Sequence, residues 1–464
     1  MSQGRAIVTG LRADRPRLKT VARRITQLRS PSFIFAFVFI ELGCQVALLF
    51  PTFSILRVFV RSAAFLSSLG FLIIARRGPK SHPSAPYALV VIAIMTLSIL
   101  HPDTNSVRGG LASTGLALAV LAPIFWVPRV RLDVATLRRL FLVYWFFNSL
   151  SALFGTLQIY YPGRFEPAIS TALSDVQVNA LHIFLADGTR VARPMGLTDY
   201  PGGAGMGAAL SIVFAIAFLL DRPKTLFRLM FLASIGVSSF TLYLCQVRSL
   251  FVMTIISLIA LGLPFVYQRR ATRYLWLGIP VVAVGIAAFA VAVSVGGEAV
   301  TGRLSSLTEN DASTVYYNNR GVQLQYGVTY MLPQYPFGAG LARWGMIYAY
   351  FGDPYNSASR PIWAEIQWNG WILDGGVPLV LAFAGALVVA FVTAFRLAIR
   401  IDDTPGRDVY KWATVMVGYT VGIIALTFNS CPFISTMGVD FWLLAAAVFA
   451  AADQLRTNVS ATGS

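Results

Sequence analysis

The chain has 464 residues, 56% hydrophobic and 12% charged, with a mean hydropathy of +0.67. A water-soluble protein of this length carries far more charge, so the bilayer is the solvent this composition fits. The net charge of +17 would suit nucleic acid, but the cations form short clusters between apolar runs, eight of them in the first thirty residues. Topology signals facing an anionic cytoplasmic leaflet are placed in that way, and nucleic acid is not expected as a partner.

A membrane helix takes roughly 17–25 mostly apolar residues. In chain order the apolar runs predict helices at 33–50, 52–75, 85–100, 111–127, 140–160, 203–220, 229–247, 249–267, 274–295, 377–395, 412–429 and 438–452. The first follows a basic segment, 1–32, and no small-residue cleavage site comes after it, so it reads as a retained helix. Arg57 and Arg61 interrupt the second; four apart, they share a helix face, and either a carboxylate such as Glu41 neutralises them or they meet a substrate.

With the N-terminus inside, segments 1–32, 76–84, 128–139, 221–228, 268–273, 396–411 and the tail 453–464 hold 26 of the 37 Lys and Arg. That asymmetry sets an orientation with both termini cytoplasmic. All four lysines, Lys19, Lys80, Lys224 and Lys411, fall inside, and every outer cation is arginine. The guanidinium fork matches phosphate and carboxylate, although an arginine-rich composition produces the same pattern.

The expected organisation is an all-α polytopic membrane protein. Helices one to five occupy 33–160, six to nine 203–295, and ten to twelve 377–452, with two long outer segments at 161–202 and 296–376. Connections of that length are usually functional or disordered. The second contains short helices near 319–332 and 361–374, the latter aligning Glu365, Trp368, Asn369 and Ile372 by three- and four-residue spacing.

No nucleotide-binding loop, zinc motif or Ser-His-Asp signature is present, and of the histidines (His82, His101, His182) only His182 lies in a long outer loop. Cys44, Cys245 and Cys431 are scattered without metal spacing and read as inert thiols; no metal and no cofactor are expected. The outer face offers arginines to hold a diphosphate, carboxylates to deprotonate a sugar hydroxyl, and aromatic faces for sugar rings. An outward-open transporter could use the same groups.

Segment 193–207, Arg-Pro-Met-Gly-Leu-Thr-Asp-Tyr-Pro-Gly-Gly-Ala-Gly-Met-Gly, leads directly into a helix. Its glycines serve either an anion at a helix N-terminus or close small-residue packing. Arg248 stands where two apolar runs meet, as a functional arginine or an interfacial turn.

Together these residues resemble the O-antigen ligase/polymerase family of bacterial envelope glycosyltransferases, over roughly 140–450. Arg193, Gly196 and Asp199 match the family's arginine, glycine and Asn/Asp ahead of a helix. Val247-Arg248-Ser249 is similar to its Ser-Arg-Gly helix start, and Arg320 with Pro336-Phe337-Gly338-Ala339-Gly340 to its third arginine and following turn. Asp374-Gly375-Gly376 fits the end of a fourth motif, but its histidine is missing and that position falls near Glu365.

The resemblance implies a metal-independent glycosyltransferase of GT-C type in the bacterial inner membrane, with a periplasmic active site. The donor would be a polyprenyl-diphosphate-linked glycan, and the acceptor a second such glycan (polymerase) or lipid A core (ligase). Polymerisation of O-antigen or exopolysaccharide repeats is the expected reaction, with ligation the alternative and a lipid-glycan flippase the alternative of another class. Other polysaccharide-assembly membrane proteins are the further partners implied. Arg193, Arg320 and Arg248 would converge on the diphosphate, with Gly196 and Asp199 beside them, and Glu365 would replace the histidine as base. Arg343, Trp344 and Trp368 would bind substrate, with Trp363 and Tyr348 as further sugar-stacking candidates or interfacial anchors.

Overall fold

The computed structural model describes residues 32–50, 56–75, 80–165, 182–184, 190–198, 202–221, 223–245, 247–305, 314, 316–400 and 407–462. Among these residues, nine helices are long and apolar enough to cross a membrane. They are α4 (Val107–Leu121, continued by short turns to Arg129), α5 (Val134–Tyr160), α6 (Gly203–Leu220), α7 (Thr225–Cys245), α8 (Arg248–Tyr267), α9 (Ala271–Ser305), α12 (Gln367–Ala398), α13 (Arg407–Thr427) and α14 (Thr436–Thr462). Three shorter apolar helices precede them: α1 (Ser32–Ala47), α2 (Arg57–Ile74) and α3 (Ala85–Ser98). Between α9 and α12 lie α10 (residues 317–334) and α11 (Gly345–Phe351). The chain is thus a helical polytopic membrane protein.

Helix α6 is the axis of the bundle: every one of its residues is buried, against α5, α7, α8 and α13. Small residues make this possible. A Cβ on Gly155 would come within 2.3 Å of the Ala204 Cβ, and one on Gly207 within 3.2 Å of the Asn148 carbonyl. Hydroxyls bridge neighbouring helices, Ser149 with Ser211 at 2.8 Å and Thr156 with Thr241 at 2.9 Å, as expected where no water competes. Helix α9 is the opposite case. Leu275, Trp276, Ile279, Val282 and Ile286 are exposed along it, an apolar outer surface that only lipid solvates cheaply.

Connections collect at two ends. At one, the basic segments meet. Lys80 Nζ lies 2.6 Å from Asp453 Oδ2, Asp221 pairs with Lys411 and, at 3.9 Å, with Arg138, and Arg129 donates to the Ala75 carbonyl at 2.9 Å. His82 is buried there, its Nδ1 accepting the Ser84 N–H at 3.2 Å, and burial pushes its imidazole down to about 3. The opposite end holds the long loops. There Asn105 donates from Nδ2 to the Ser359 carbonyl at 2.9 Å and from its main-chain N–H to the Leu341 carbonyl at 3.0 Å.

Three details differ from the sequence reading. The strands β1 (His182–Phe184) and β2 (Arg190–Ala192) pair antiparallel beside an otherwise helical architecture. Helix α10 is irregular, with π turns Tyr317–Gly321 and Gly327–Met331 on either side of Val322–Tyr326. The expected helices 361–374 and 377–395 are one, α12, bent at Gly376, and Glu365 precedes it instead of lying on it. Glu41 is buried against α5, and the side chain of Arg57 lies outside the described residues. Glu41 accepts from Gln45 at 2.7 Å and lies 3.3 Å from the Tyr144 hydroxyl, which donates to Asp440 at 2.6 Å, while Arg61 donates to the Tyr350 hydroxyl at 3.4 Å.

Candidate active site

Two glycine motifs, far apart in sequence, cross at the loop end. Gly376 has φ +61°, and a Cβ there would stand 2.1 Å from the Pro336 carbonyl oxygen; Gly338 has φ +103° and faces the Gly375 backbone at 2.9 Å. Only glycine takes these conformations cheaply and lets two backbones approach so closely. Hydrogen bonds from the Ala339 N–H to the Leu373 carbonyl (2.7 Å) and from the Val377 N–H to the Pro336 carbonyl (2.9 Å) fix the crossing. It orients the first turns of α12 and the segment 361–366 ahead of it.

Arg343 and Trp344 complete this support. Arg343 is buried and donates to the carbonyls of Ala339 (2.8 Å) and Arg360 (3.1 Å), so its guanidinium holds the loop together. Trp344 is buried too. Its Nε1 donates to Asp374 Oδ1 at 2.9 Å, and its ring lies where a Cβ on Gly370 would be. Trp368 is half-buried, donating from Nε1 to the Thr427 hydroxyl at 3.0 Å, whereas Trp363 is 72% exposed.

On this frame three of the expected residues meet. Arg320 forms an ion pair with Glu365 Oε2 across from α10, and both side chains keep 30% exposure. Gln323, three residues on and therefore on the same helix face, donates from Nε2 to that oxygen at 2.9 Å. Asn369 donates to the main-chain carbonyl of Gln323 at 2.9 Å, tying α10 to α12.

Arg193 approaches from another direction. It opens a turn pinned to α5. The Gly196 N–H donates to Gln158 Oε1 (2.8 Å), Gln158 Nε2 donates back to the Gly196 carbonyl (2.9 Å), and the Leu197 N–H donates to Ser151 Oγ (3.0 Å). Gly196 has φ +64°, and a Cβ there would meet Ser151 Oγ at 2.4 Å. Glycines 196 and 207 therefore serve close packing.

The electrostatics of the site are unbalanced. Burial pushes the Arg320 guanidinium below its ordinary value, and the nearby positive charge of Arg193 adds to this. Burial does the same to Arg193, whose Nε is buried without a hydrogen-bond partner. Cys431, on the turn between α13 and α14, has its thiol raised to about 12 by burial, with Arg320 opposing and Asp374 adding, so it stays neutral. Two guanidinium groups thus lie close enough to repel in a partly dehydrated place, and among the described residues Glu365 is the carboxylate paired with Arg320. Neighbouring guanidinium groups of this kind favour an anion.

Arg248 lies at the same end, half-buried at the start of α8, beside Ser249, whose hydroxyl accepts from Asn429 at 2.8 Å. It makes no hydrogen bond or ion pair with the group around Glu365. Asp199 lies outside the described residues. Gln323 was not among the sequence candidates. The available signal was its i, i+3 spacing from Arg320, which counts only once Arg320 is known to face the site.

No protein-family model matches the chain, and no curated protein matches it either.

Proposed function

We propose that the chain is a membrane glycosyltransferase that polymerises polyprenyl-diphosphate-linked glycan repeats on the periplasmic face of a bacterial inner membrane. The observation that carries this reading is the Arg320–Glu365 ion pair with the positive charge of Arg193 nearby, at one end of a membrane bundle. A lipid diphosphate reaches such a place from the bilayer, and two arginines can take up the charge that develops as it leaves. Glu365 acts as base on the acceptor hydroxyl. The likeness to the O-antigen ligase/polymerase motifs supports the same assignment, since three of those motifs supply these residues or the glycine crossing beneath them. We further take all twelve apolar helices as spans in a GT-C-type arrangement. The basic end is then cytoplasmic and Arg193, Arg320 and Glu365 periplasmic, as the positive-inside asymmetry favours.

The test uses the full-length protein in liposomes with the lipid-linked oligosaccharide extracted from the source bacterium, its products sized by mass spectrometry. A ladder of longer glycans with release of free polyprenyl diphosphate is the expected result. Transfer only when lipid A core is added would replace the polymerase reading with a ligase. No transfer to either acceptor, with glycan appearing in the opposite leaflet, would replace it with a transporter.

A further inference from the structure

We infer that Gln323 is a positioning residue that fixes which oxygen of Glu365 receives the acceptor proton. This rests on the proposed glycosyl transfer and goes beyond it, because neither the composition nor the family motifs assign Gln323 a role.

Both contacts to Glu365 fall on one oxygen. Arg320 and Gln323 Nε2 meet Oε2, and Oε1 takes part in neither. The amide orientation is set by chemistry: turned over, Gln323 would direct its oxygen at a carboxylate oxygen. Holding the donor toward Glu365 leaves Gln323 Oε1 buried with no hydrogen-bond partner. A buried acceptor left unmatched is disfavoured and is tolerated where the other half of the group is committed elsewhere. The backbone is committed as well, through the Asn369 bond to the Gln323 carbonyl and the π turn that carries Arg320. Irregular turns of this kind recur where a helix must re-aim side chains at a site.

The arrangement divides the carboxylate into two working halves. Oε2 is held, so the plane of the group cannot turn, and Oε1 faces the acceptor. The hydroxyl proton passes to Oε1 while the hydroxyl oxygen bonds to C1 of the donor sugar. The bond from C1 to the diphosphate oxygen breaks, and its electron pair leaves on that oxygen, beside Arg193 and Arg320. Because Arg320 touches both the base and the region of the leaving group, the proton acceptor and the anion site are set relative to each other by one side chain. Among the described residues, Arg320 on α10 pairs with this carboxylate, Arg193 on the 193–198 turn and Cys431 on the turn after α13 act on Arg320, and Asp374 on α12 acts on Cys431.

The experiment compares wild type, Gln323→Leu, Gln323→Glu and Glu365→Gln in liposomes with the extracted lipid-linked oligosaccharide. It records turnover against pH and donor KM, and titrates the Glu365 carboxylate by infrared difference between wild type and Glu365→Gln. Losing the amide donor should move the acidic limb of turnover, and the carboxylate titration with it, up by about one pH unit. Turnover at neutral pH should fall about tenfold with donor KM unchanged. Gln323→Glu, nearly isosteric, should keep the fold and move the limb at least as far, since it sets an acceptor against Oε2. A merely structural role would lower the yield of folded protein and leave both titrations in place. Unmoved titrations in both Gln323 variants, with Glu365→Gln inactive, would overturn this inference and spare the proposed function. Full transfer by Glu365→Gln would overturn both.

Discussion

Replacing Glu365 by Gln should make the site bind inorganic diphosphate more tightly while abolishing glycan transfer. In the resting protein the carboxylate competes with any substrate anion for Arg320. Two unit charges about 4 Å apart at an effective dielectric of about 20 attract by about 4 kcal/mol. Each side chain here is 30% exposed, so solvent screening and desolvation reduce the net pairing to about 1–2 kcal/mol. An incoming anion must offset that amount, and removing it should tighten binding about tenfold. The assay is calorimetric titration of inorganic diphosphate into the detergent-solubilised protein, repeated at higher salt, where the gain should shrink. An Arg320→Met/Glu365→Gln double variant should lose the gain. Unchanged or weaker binding by Glu365→Gln alone would refute the idea that Arg320 is the anion-binding arm.

Arg193→Lys keeps the charge but loses the guanidinium fork, and its kcat/KM for the lipid-linked donor should fall about a hundredfold; wild-type kinetics would remove Arg193 from the diphosphate site. Gly376→Ala should lower thermal stability by about 3 kcal/mol or more and inactivate the protein. Its φ of +61° and the Pro336 carbonyl 2.1 Å from the new Cβ leave no room without moving the crossing. A melting temperature within a degree of wild type would show that the loops part easily. His82 is held neutral to about pH 3 when folded, whereas the unfolded imidazole binds a proton near its ordinary value of about 6.5. Between those limits the unfolded state carries the extra proton, so stability should fall as pH drops below about 6.5, by up to about 1.4 kcal/mol per unit. His82→Phe should flatten that slope in thermal denaturation; an unchanged slope would place the titrating group elsewhere.

The helices were legible because each apolar run near bilayer length records its own solvent locally, so 203–220 and 140–160 can be read without neighbours. The site was legible only as a set of residues. Arg193, Arg320 and Glu365 were named from motif order, but their meeting depends on the crossing of 336–340 with 374–376, a tertiary event with no local signature. Arg343 and Trp344 looked like ligand-binding groups because an outer arginine and an outer tryptophan suit a glycan. Burial reveals their hydrogen bonds to Ala339, Arg360 and Asp374. The π turns of α10 likewise have no signal in the sequence pattern, which reads 319–332 as an ordinary helix.

The way the charges are anchored explains why sequence order and function agree here only in part. Arg193 is held by a positive-φ glycine turn bonded to α5, and the Glu365 segment leads into α12, whose first turns are fixed by a crossing that needs Gly338 and Gly376. Arg320 stands on an irregular helix that Asn369 ties to α12. Each anchor rests on its own set of hydrogen bonds, which hold Arg193 and Arg320 in place independently of each other. On the proposed function, the anion that Arg193 and Arg320 receive is the diphosphate of the donor. It follows that diphosphate should stabilise the wild-type protein against heat, and that neutralising either arginine should remove most of that effect.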